Sequence, residues 1–190
     1  MGKLIAITGG IGAGKSVVSK ILITSGWPVF DCDAQAKEIM ANSPEIKKLI
    51  HDEVCPEAIV NGNIDRKVLS RKVFSDKESL KRLNSIVHSL VVKELTGWAK
   101  GKEISFVETA ILYESGIDRI VDEVWKVTAP EELRIERVIK RSNMTRAQVI
   151  SRIESQKTEL LRSHNVVRQI INDGASSLLF QIHELLKELS

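Results

Sequence analysis

Leu4-Ile5-Ala6-Ile7-Thr8-Gly9-Gly10-Ile11-Gly12-Ala13-Gly14-Lys15-Ser16 is the stretch of sequence that decides the fold. A short apolar run leads into the complete pattern G-x-x-x-x-G-K-[ST], and a helical pattern with apolar positions 17, 18, 21 and 22 follows up to Gly26. Glycines allow such a loop to turn tightly and to direct its backbone N–H groups at phosphate oxygens. The stretch therefore predicts a strand, a phosphate-binding loop and a helix.

The loop residues are the predicted ligands of the nucleotide phosphates. Lys15 would reach the β and γ phosphates, and the Ser16 hydroxyl would bind Mg²⁺. The positive end of the following helix strengthens this field. The alternative is a glycine-rich turn without a ligand, which four glycines followed by Lys-Ser disfavour. The predicted phosphate ligands are Gly10, Ile11, Gly12, Ala13, Gly14, Lys15 and Ser16.

Beyond the loop, the chain alternates short apolar runs with helical patterns. The runs cover 4–8, 29–31, 104–108, 123–128 and 166–171. This alternation predicts one α/β domain over 1–190, with a parallel sheet of the P-loop NTPase type flanked by helices. Its core would be 1–33, 101–136 and 158–190. Two helical insertions interrupt the core: 34–100, and 137–157 with a break near residues 142–144.

Composition excludes several classes of function. Apolar residues make up 43% of the 190 residues and charged residues 28%, as in globular proteins. A net charge of +3 does not indicate a nucleic-acid partner, and no apolar run is long enough to cross a membrane. We expect a cytoplasmic protein whose cysteines, Cys32 and Cys55, are thiols. The four histidines have no partner at zinc-ligand spacing, so no structural metal is expected. The oligomeric state is left open.

Helix starts are predicted from cap residues. Ser43 before Pro44 places proline at the first helical position. Three further pairs fit the capping box, in which a hydroxyl residue is followed three positions later by Glu or Gln. They are Ser75 with Glu78, Thr128 with Glu131, and Thr145 with Gln148.

Acidic residues end two of the predicted strands. Ligands in open α/β sheets bind at the carboxyl ends of the strands, so Asp33 could face the γ-phosphate and accept a proton from an attacking hydroxyl. The alternative reading makes Asp31 and Asp33 solvated loop acids or helix caps. Glu108 could hold Mg²⁺ through water, or be a simple polar strand end.

A basic segment follows the fourth strand. Six of the residues from Arg134 to Arg152 are basic, and a helical segment of this kind could fold over the nucleotide and neutralise developing charge. A solvated helix pair is the alternative. The chain has no Asn-Lys and no Asp with Gly three residues later, so a GTPase is disfavoured. Another small-molecule kinase and a nucleotide-dependent regulatory module remain as rivals.

The chain resembles the dephospho-CoA kinase family from Leu4 to about Gly174. Residues 83–88, Leu-Asn-Ser-Ile-Val-His, are similar to that family's Leu-Asn-x-x-x-His, and 31–33 to its Asp-Ala-Asp. The other similar stretches are 5–16, 61–74, 110–114, the set Arg137, Arg141, Arg152 and Gln156, and 171–174. The chain departs from the family where His88 precedes Ser89 instead of proline, and where Glu108 replaces the usual aspartate.

The resemblance implies that ATP, with Mg²⁺, phosphorylates dephospho-CoA, the last step of coenzyme A synthesis. It implies a substrate lobe over 34–100 and a lid over 137–157. Asp33 would be the general base, Lys15 and Arg141 would act on the transferring phosphoryl group, and Glu108 and Ser16 would serve the metal. The other implied ligands are Thr8, Arg66, His88 and Leu112 for the substrate, with Asp33, and Arg137, Arg141, Asn172 and Gly174 for ATP.

Overall fold

The computed structural model describes residues 2–157 and 163–189. Its backbone contacts divide the chain into two compact units, one of Met1–Phe30 with Ala99–Ser190 and one of Asp31–Trp98. The second unit has bounds close to those predicted for the lobe at 34–100, and its role as the substrate lobe stays a prediction. Residues 158–162, which the sequence assigned to the core, lie outside the described residues.

The first unit is built on a five-stranded sheet in the order β2-β5-β1-β6-β7. The registered pairs β1–β5, β1–β6 and β6–β7 are all parallel. These five strands confirm the predicted ones to within one residue at each end. Their bounds are β1 Lys3–Thr8, β2 Val29–Asp31, β5 Ile104–Glu108, β6 Glu123–Thr128 and β7 Val167–Ile171.

Apolar side chains from the central strands form the core of this unit. Ile5, Phe106 and Trp125 are fully buried, and the rings of Phe106 and Trp125 lie 5.1 Å apart. Burial of such large side chains is the main source of stability for a sheet covered by helices. The helices of the unit are α1 Lys15–Thr24, α6 Glu131–Arg141, α7 Arg146–Ser155 and α8 Leu178–Lys187.

The strand register places the functional segments at one edge of the sheet. Ile7 lies opposite Glu108, and Thr128 lies opposite Ile171, so β1, β5, β6 and β7 end at similar heights. The phosphate loop follows β1 directly, and Asn172 follows β7. Because parallel strands share one carboxyl edge, segments distant in sequence meet there.

The second unit is helical, with one short hairpin. Its helices are α2 Cys32–Asn42, α3 Pro44–Glu53, α4 Arg66–Ser75 and α5 Lys77–Ala99, the last of which ends one residue beyond the unit. Strands β3 Ile59–Val60 and β4 Asn63–Ile64 pair antiparallel. Asn61 and Gly62 join them with φ angles of 49° and 74°. A two-residue turn with both φ angles positive matches the twist of a hairpin, which explains the Asn-Gly sequence.

Two of the four predicted caps are confirmed and two are wrong. Ser43 caps α3, with proline in the first turn, and Thr145 forms a full capping box with Gln148. Asp76 replaces Ser75 as the side chain that accepts the first N–H groups of α5. Thr128 instead donates its hydroxyl to the Ile170 carbonyl across the sheet, and α6 begins after Pro130 without a side-chain cap. A tertiary hydrogen bond competes with a local cap for the same hydroxyl.

Within 2–157 and 163–189, none of the helices combines the length and the apolar character that a membrane span requires.

Candidate active site

The phosphate loop has the backbone geometry that its glycines predict. Gly12 and Gly14 have φ angles of 78° and 98°, in the left-handed region that favours glycine, and Gly14 precedes the first residue of α1. The Lys15 ammonium group donates a 2.9 Å hydrogen bond to the Gly9 carbonyl. This bond folds the lysine side chain back over the loop, where its charge lies next to the backbone N–H groups of a helix N-terminus.

Three side chains from outside the loop hold its peptide groups. The Ile11 N–H donates to Gln156 Oε1 at 2.8 Å, and Arg134 Nε donates to the Ile11 carbonyl at 2.9 Å. Asn172 Nδ2 donates to the Ala13 carbonyl at 2.8 Å. The loop conformation is therefore fixed by α6, by the residue after α7 and by the residue after β7, as well as by its own glycines.

Two residues predicted to bind ATP contact each other beside this loop. Arg137 donates to the backbone carbonyl of Asn172 at 3.0 Å and to Asn172 Oδ1 at 3.2 Å. Asn172 is buried, and its amide bridges Arg137 to Ala13. These contacts place both residues next to the phosphate loop, and their direct binding of ATP stays a prediction. Gly174 follows with a φ angle of 90°, in a turn closed by the Asp173 carboxylate.

Arg134 is the residue whose position sequence reasoning missed. It was noticed only as a member of the basic segment, yet its guanidinium lies against Gly10, where even a methyl group would collide with Nη2. Nη2 is buried and has no hydrogen-bond partner among the residues that the structure describes. Burial lowers the pKa of the guanidinium, and the Glu131 carboxylate partly offsets this effect. An arginine keeps its charge under such a shift, so the loop has a fixed cation beside it.

Helices α6 and α7 form a pair, and the predicted lid at 137–157 covers α7 and the second half of α6. Helix α6 begins earlier, at Glu131, within the segment assigned to the core, and the break between residues 141 and 146 lies where it was expected. Ile135 and Val149 belong to a small buried cluster between the two helices, and Ile11 of the phosphate loop packs against that cluster. Arg146 forms a 2.7 Å ion pair with Glu132 across the pair. Arg141 is exposed at the end of α6. Its action on phosphate stays a prediction, as does the movement of the pair as a lid.

The predicted metal ligands both lie in the first unit. Ser16 is exposed in the first turn of α1, and Glu108 ends β5 opposite Ile7 of β1. The described part of the chain contains no cluster of three or more acidic, histidine or cysteine side chains suited to a metal. Mg²⁺ in kinases takes only one or two protein oxygens and completes its shell with phosphates and water. A hydroxyl and a carboxylate therefore fit Mg²⁺ bound together with nucleotide. Thr8 is buried at the end of β1.

The two acidic residues at the end of β2 and the start of α2 have distinct environments. Asp31 caps α2, because its carboxylate accepts the Ala34 N–H at 3.0 Å. Asp33 is exposed in the first turn of the same helix. The alternative of a helix cap is thus correct for Asp31. Asp33 is the carboxylate of the pair that remains for chemistry, and its role as general base stays a prediction.

An apolar groove of about 470 Å³ opens in the helical unit. Arg66 and Lys37 stand among its otherwise mostly apolar lining, and Phe74 in the same lining is 86% exposed. Other lining residues are Ala36, Met40, Leu69, Val73 and Leu83. Exposed apolar surface of this kind marks a binding site more often than a scattered single residue does.

The remaining predicted substrate residues differ in exposure. His88 is half-buried in α5 of the helical unit and does not line the groove. Leu112 belongs to the other unit and is fully buried, with its carbonyl accepting the Asp118 N–H. The structure therefore assigns the Leu112 side chain to packing, and a contact between Leu112 and substrate stays a prediction.

Comparison with known proteins agrees with this geometry. The family model described as dephospho-CoA kinase matches residues 3–177, which includes the phosphate loop, the helix pair and Asn172. A dephospho-CoA kinase of Bacteroides fragilis (strain YCH46) is 38% identical over 185 residues, covering 96% of this chain and 90% of the relative.

Solved structures share the fold. A crystal structure of a Thermus thermophilus protein superposes with a TM-score of 0.79 at 34% identity, covering 100% of this chain and 98% of that one. The dephospho-CoA kinase of Campylobacter jejuni superposes with a TM-score of 0.67 at 24% identity, with coverage of 100% and 98%. The predicted fold class, a parallel sheet of the P-loop type with helical insertions, is confirmed.

Proposed function

The chain belongs to the dephospho-CoA kinase family, and from that premise we propose that it transfers the γ-phosphoryl group of ATP to the ribose 3′-hydroxyl of dephospho-CoA. The observation that carries the proposal is the family match over 3–177, a range that contains the phosphate loop and both insertions. The product would be coenzyme A, at the last step of its synthesis.

The phosphate loop supplies the donor site in this proposal. The N–H groups of Ile11 and Ala13 donate to Gln156 and to the Gly10 carbonyl, so the other backbone N–H groups of residues 10–16 would bind the phosphates of ATP. The Lys15 ammonium would exchange the Gly9 carbonyl for β and γ phosphate oxygens. Ser16 and Glu108 would hold Mg²⁺, which neutralises the charge of the β and γ phosphates when bound. Arg137, Asn172 and Gly174 would lie beside the nucleotide.

Asp33 and Arg141 would serve the chemical step. The Asp33 carboxylate would accept the proton of the 3′-hydroxyl as its oxygen attacks the γ phosphorus. Arg141 would donate to the equatorial oxygens of the transferring group, because a guanidinium can bind two phosphate oxygens at once. For this it must approach the nucleotide, so we propose that the segment 137–157, which contains the second half of α6 and all of α7, acts as a lid.

The helical unit would select the acceptor. Its groove offers apolar surface for the long arm of dephospho-CoA, and Arg66 and Lys37 offer two cations for its pyrophosphate. His88 and Thr8 are further proposed contacts. An acceptor without an apolar arm, such as AMP or adenosine, would leave the groove unfilled, which favours dephospho-CoA over the substrates of the rival nucleotide and nucleoside kinases.

The proposal is tested by the site of phosphorylation. Purified protein is incubated with Mg-ATP and dephospho-CoA, and the product is analysed by mass and by ³¹P NMR. We expect one added phosphoryl group, as a monoester on the ribose 3′-oxygen, and none with the Lys15→Ala variant. Release of ADP without a phosphorylated acceptor would identify an ATPase instead and contradict the proposal.

A cytoplasmic location, with no nucleic-acid or membrane partner, belongs to the same proposal and rests on composition and charge. Cell fractionation tests it: kinase activity should stay in the supernatant after membranes are removed, and activity that sediments with membranes would contradict it.

A further inference from the structure

Ile11, at the tip of the phosphate loop, is held by three separate contacts with the helix pair α6–α7. Its N–H donates to Gln156 Oε1, and its carbonyl accepts from Arg134 Nε. Its side chain packs against the buried cluster between the two helices. Both peptide groups that flank this single residue are therefore fixed by side chains from outside the loop. We call Arg134 and Gln156 the Ile11 pair.

The Arg134 contact fixes the direction of the next N–H group. In a planar trans peptide the carbonyl of one residue and the N–H of the next point in opposite directions. Because Arg134 draws the Ile11 carbonyl toward α6, the Gly12 N–H must point away from α6. No residue within 2–157 or 163–189 accepts a hydrogen bond from that N–H. The peptide is thus oriented with its donor available for a phosphate oxygen.

The Gln156 contact fixes the preceding peptide in the same way. The Ile11 N–H points outward to Gln156, so the Gly10 carbonyl points inward, where it accepts the Ala13 N–H at 3.1 Å. That bond closes the turn of the loop. Without Gln156, the Ile11 N–H would lose its acceptor, and this peptide could rotate to offer a carbonyl oxygen to the phosphates, which repel it.

Close packing leaves little freedom for another arrangement. A methyl group at Gly12 would collide with the backbone of Arg134, and one at Gly10 with its guanidinium. A charged side chain is held here at a desolvation cost, as the lowered pKa of Arg134 indicates.

We propose that Arg134 and Gln156 are positioning residues that preset the phosphate loop for ATP by fixing the two peptide groups of Ile11. They act through the loop backbone, and the inference rests on the proposed use of the loop for ATP. Since both residues act on one amino acid, their contributions to ATP affinity are coupled.

The test uses the full-length protein without dephospho-CoA. Gln156→Met removes the acceptor and keeps the chain length, whereas Gln156→Glu keeps an acceptor oxygen. Arg134→Met removes the donor, whereas Arg134→Lys keeps one. Arg119→Met is the matched control, because Arg119 is an exposed arginine of the same unit outside the loop contacts. Calorimetry gives the Kd for Mg-ATP, NMR gives the exchange rate of the Ile11 amide in the nucleotide-free protein, and thermal melting gives Tm.

We expect the Kd for Mg-ATP to rise about tenfold in Arg134→Met and in Gln156→Met, as for the loss of one part-buried hydrogen bond to a fixed partner. In the double variant the Kd for Mg-ATP should rise about 10- to 20-fold, well short of the ~100-fold rise that two independent effects would give. Exchange of the Ile11 amide should accelerate in Gln156→Met and return toward the wild-type rate in Gln156→Glu. Arg134→Lys should recover most of the affinity, and Tm should stay within a few degrees.

The proposal is overturned if the single Met variants bind Mg-ATP with a Kd within twofold of wild type. It is also overturned if the Kd of the double variant rises by the full product of the two single effects. It is also overturned if Gln156→Glu does not restore the slow exchange of the Ile11 amide. The same holds if Arg119→Met raises the Kd for Mg-ATP as much as Arg134→Met does. ATP binding and amide exchange need no acceptor, so failure here is distinct from failure to phosphorylate dephospho-CoA.

Discussion

The phosphate loop and the groove of the helical unit present different kinds of chemical group to a ligand. The loop presents backbone N–H groups, and side chains from three other elements fix them in place. The groove presents side chains on helices, with Arg66 at the first position of α4 and Phe74 largely exposed. Backbone geometry demands particular residues at fixed spacing, whereas a groove demands only a mixture of apolar and charged side chains. The first is readable in one sequence, and the second is not.

The largest effect is expected at the phosphate loop. Lys15→Ala removes the charge that we assign to the β and γ phosphates, so turnover should fall below detection. Lys15 is only partly buried, and its loss should leave the fold intact. Steady-state ADP release and a thermal melt check both statements. A variant with near-wild-type activity would falsify the assignment of this loop as the ATP site.

Asp33→Asn should lower kcat by roughly 10²–10⁴-fold with little change in the affinity for ATP, as for the loss of a general base. Asp31→Asn is the matched control, because asparagine can also cap a helix and should leave activity near wild type. Pre-steady-state phosphoryl transfer separates the chemical step from binding. If Asp31→Asn loses activity and Asp33→Asn does not, Asp31 is the general base and Asp33 is not.

Arg141→Ala should lower kcat by about 10–100-fold and change the Kd for dephospho-CoA less than threefold, since its charge would act on the transferring group. Arg119→Ala, which also removes an exposed arginine from the first unit, should retain activity. Parallel measurements of kcat and of acceptor binding decide the matter. If Arg141→Ala is as active as wild type, Arg141 is a solvated residue of α6 without a role in catalysis.

A smaller effect, confined to the acceptor, is expected in the helical unit, at Arg66 in the groove and at His88 outside it. Arg66→Ala and His88→Ala should each raise KM for dephospho-CoA by about tenfold, as for the loss of one charge-assisted hydrogen bond, and leave KM for ATP near wild type. Lys93→Ala removes a cation of the same unit that pairs with Glu45 at 2.8 Å and to which no contact with dephospho-CoA is assigned, so it should leave both constants unchanged. If Arg66→Ala and His88→Ala raise KM for ATP as well as KM for dephospho-CoA, these residues support the fold and do not bind the acceptor specifically.

The smallest effect concerns the stability of the helical unit and its dependence on pH. The hydrogen bond from the Ser79 hydroxyl and that from the Glu78 N–H hold the pKa of Asp76 at about 2, against an ordinary value of 3.8. A carboxylate with a lowered pKa stabilises the fold above the unfolded pKa, and this contribution is lost as pH falls from about 4 toward 2. Asp76→Ala should therefore melt a few degrees lower at pH 7, and the gap to wild type should narrow at pH 3. A difference in Tm between wild type and Asp76→Ala that widens as pH falls would contradict a stabilising role of the Asp76 carboxylate.

The contrast between the two regions also explains what the sequence could predict. The five strands and the loop followed from apolar runs and glycine spacing, because each pattern is local. Arg134 and Gln156 contact Ile11 from 123 and 145 residues away, and no local pattern brings them there. Two caps were assigned to the wrong residue because Asp76 and a cross-sheet bond of Thr128 compete with the local pattern. The hairpin turn at Asn61-Gly62 carried a readable signal that was assigned only to the family motif.

The central claim is that the phosphate loop supplies the donor while the helical unit selects the acceptor. Its most direct test is a competition in which wild-type protein receives Mg-ATP with equal concentrations of dephospho-CoA, AMP and adenosine, and mass spectrometry follows all three. The account predicts that dephospho-CoA alone gains a phosphoryl group while the other two stay unchanged. Phosphorylation of AMP or adenosine at a comparable rate would contradict it.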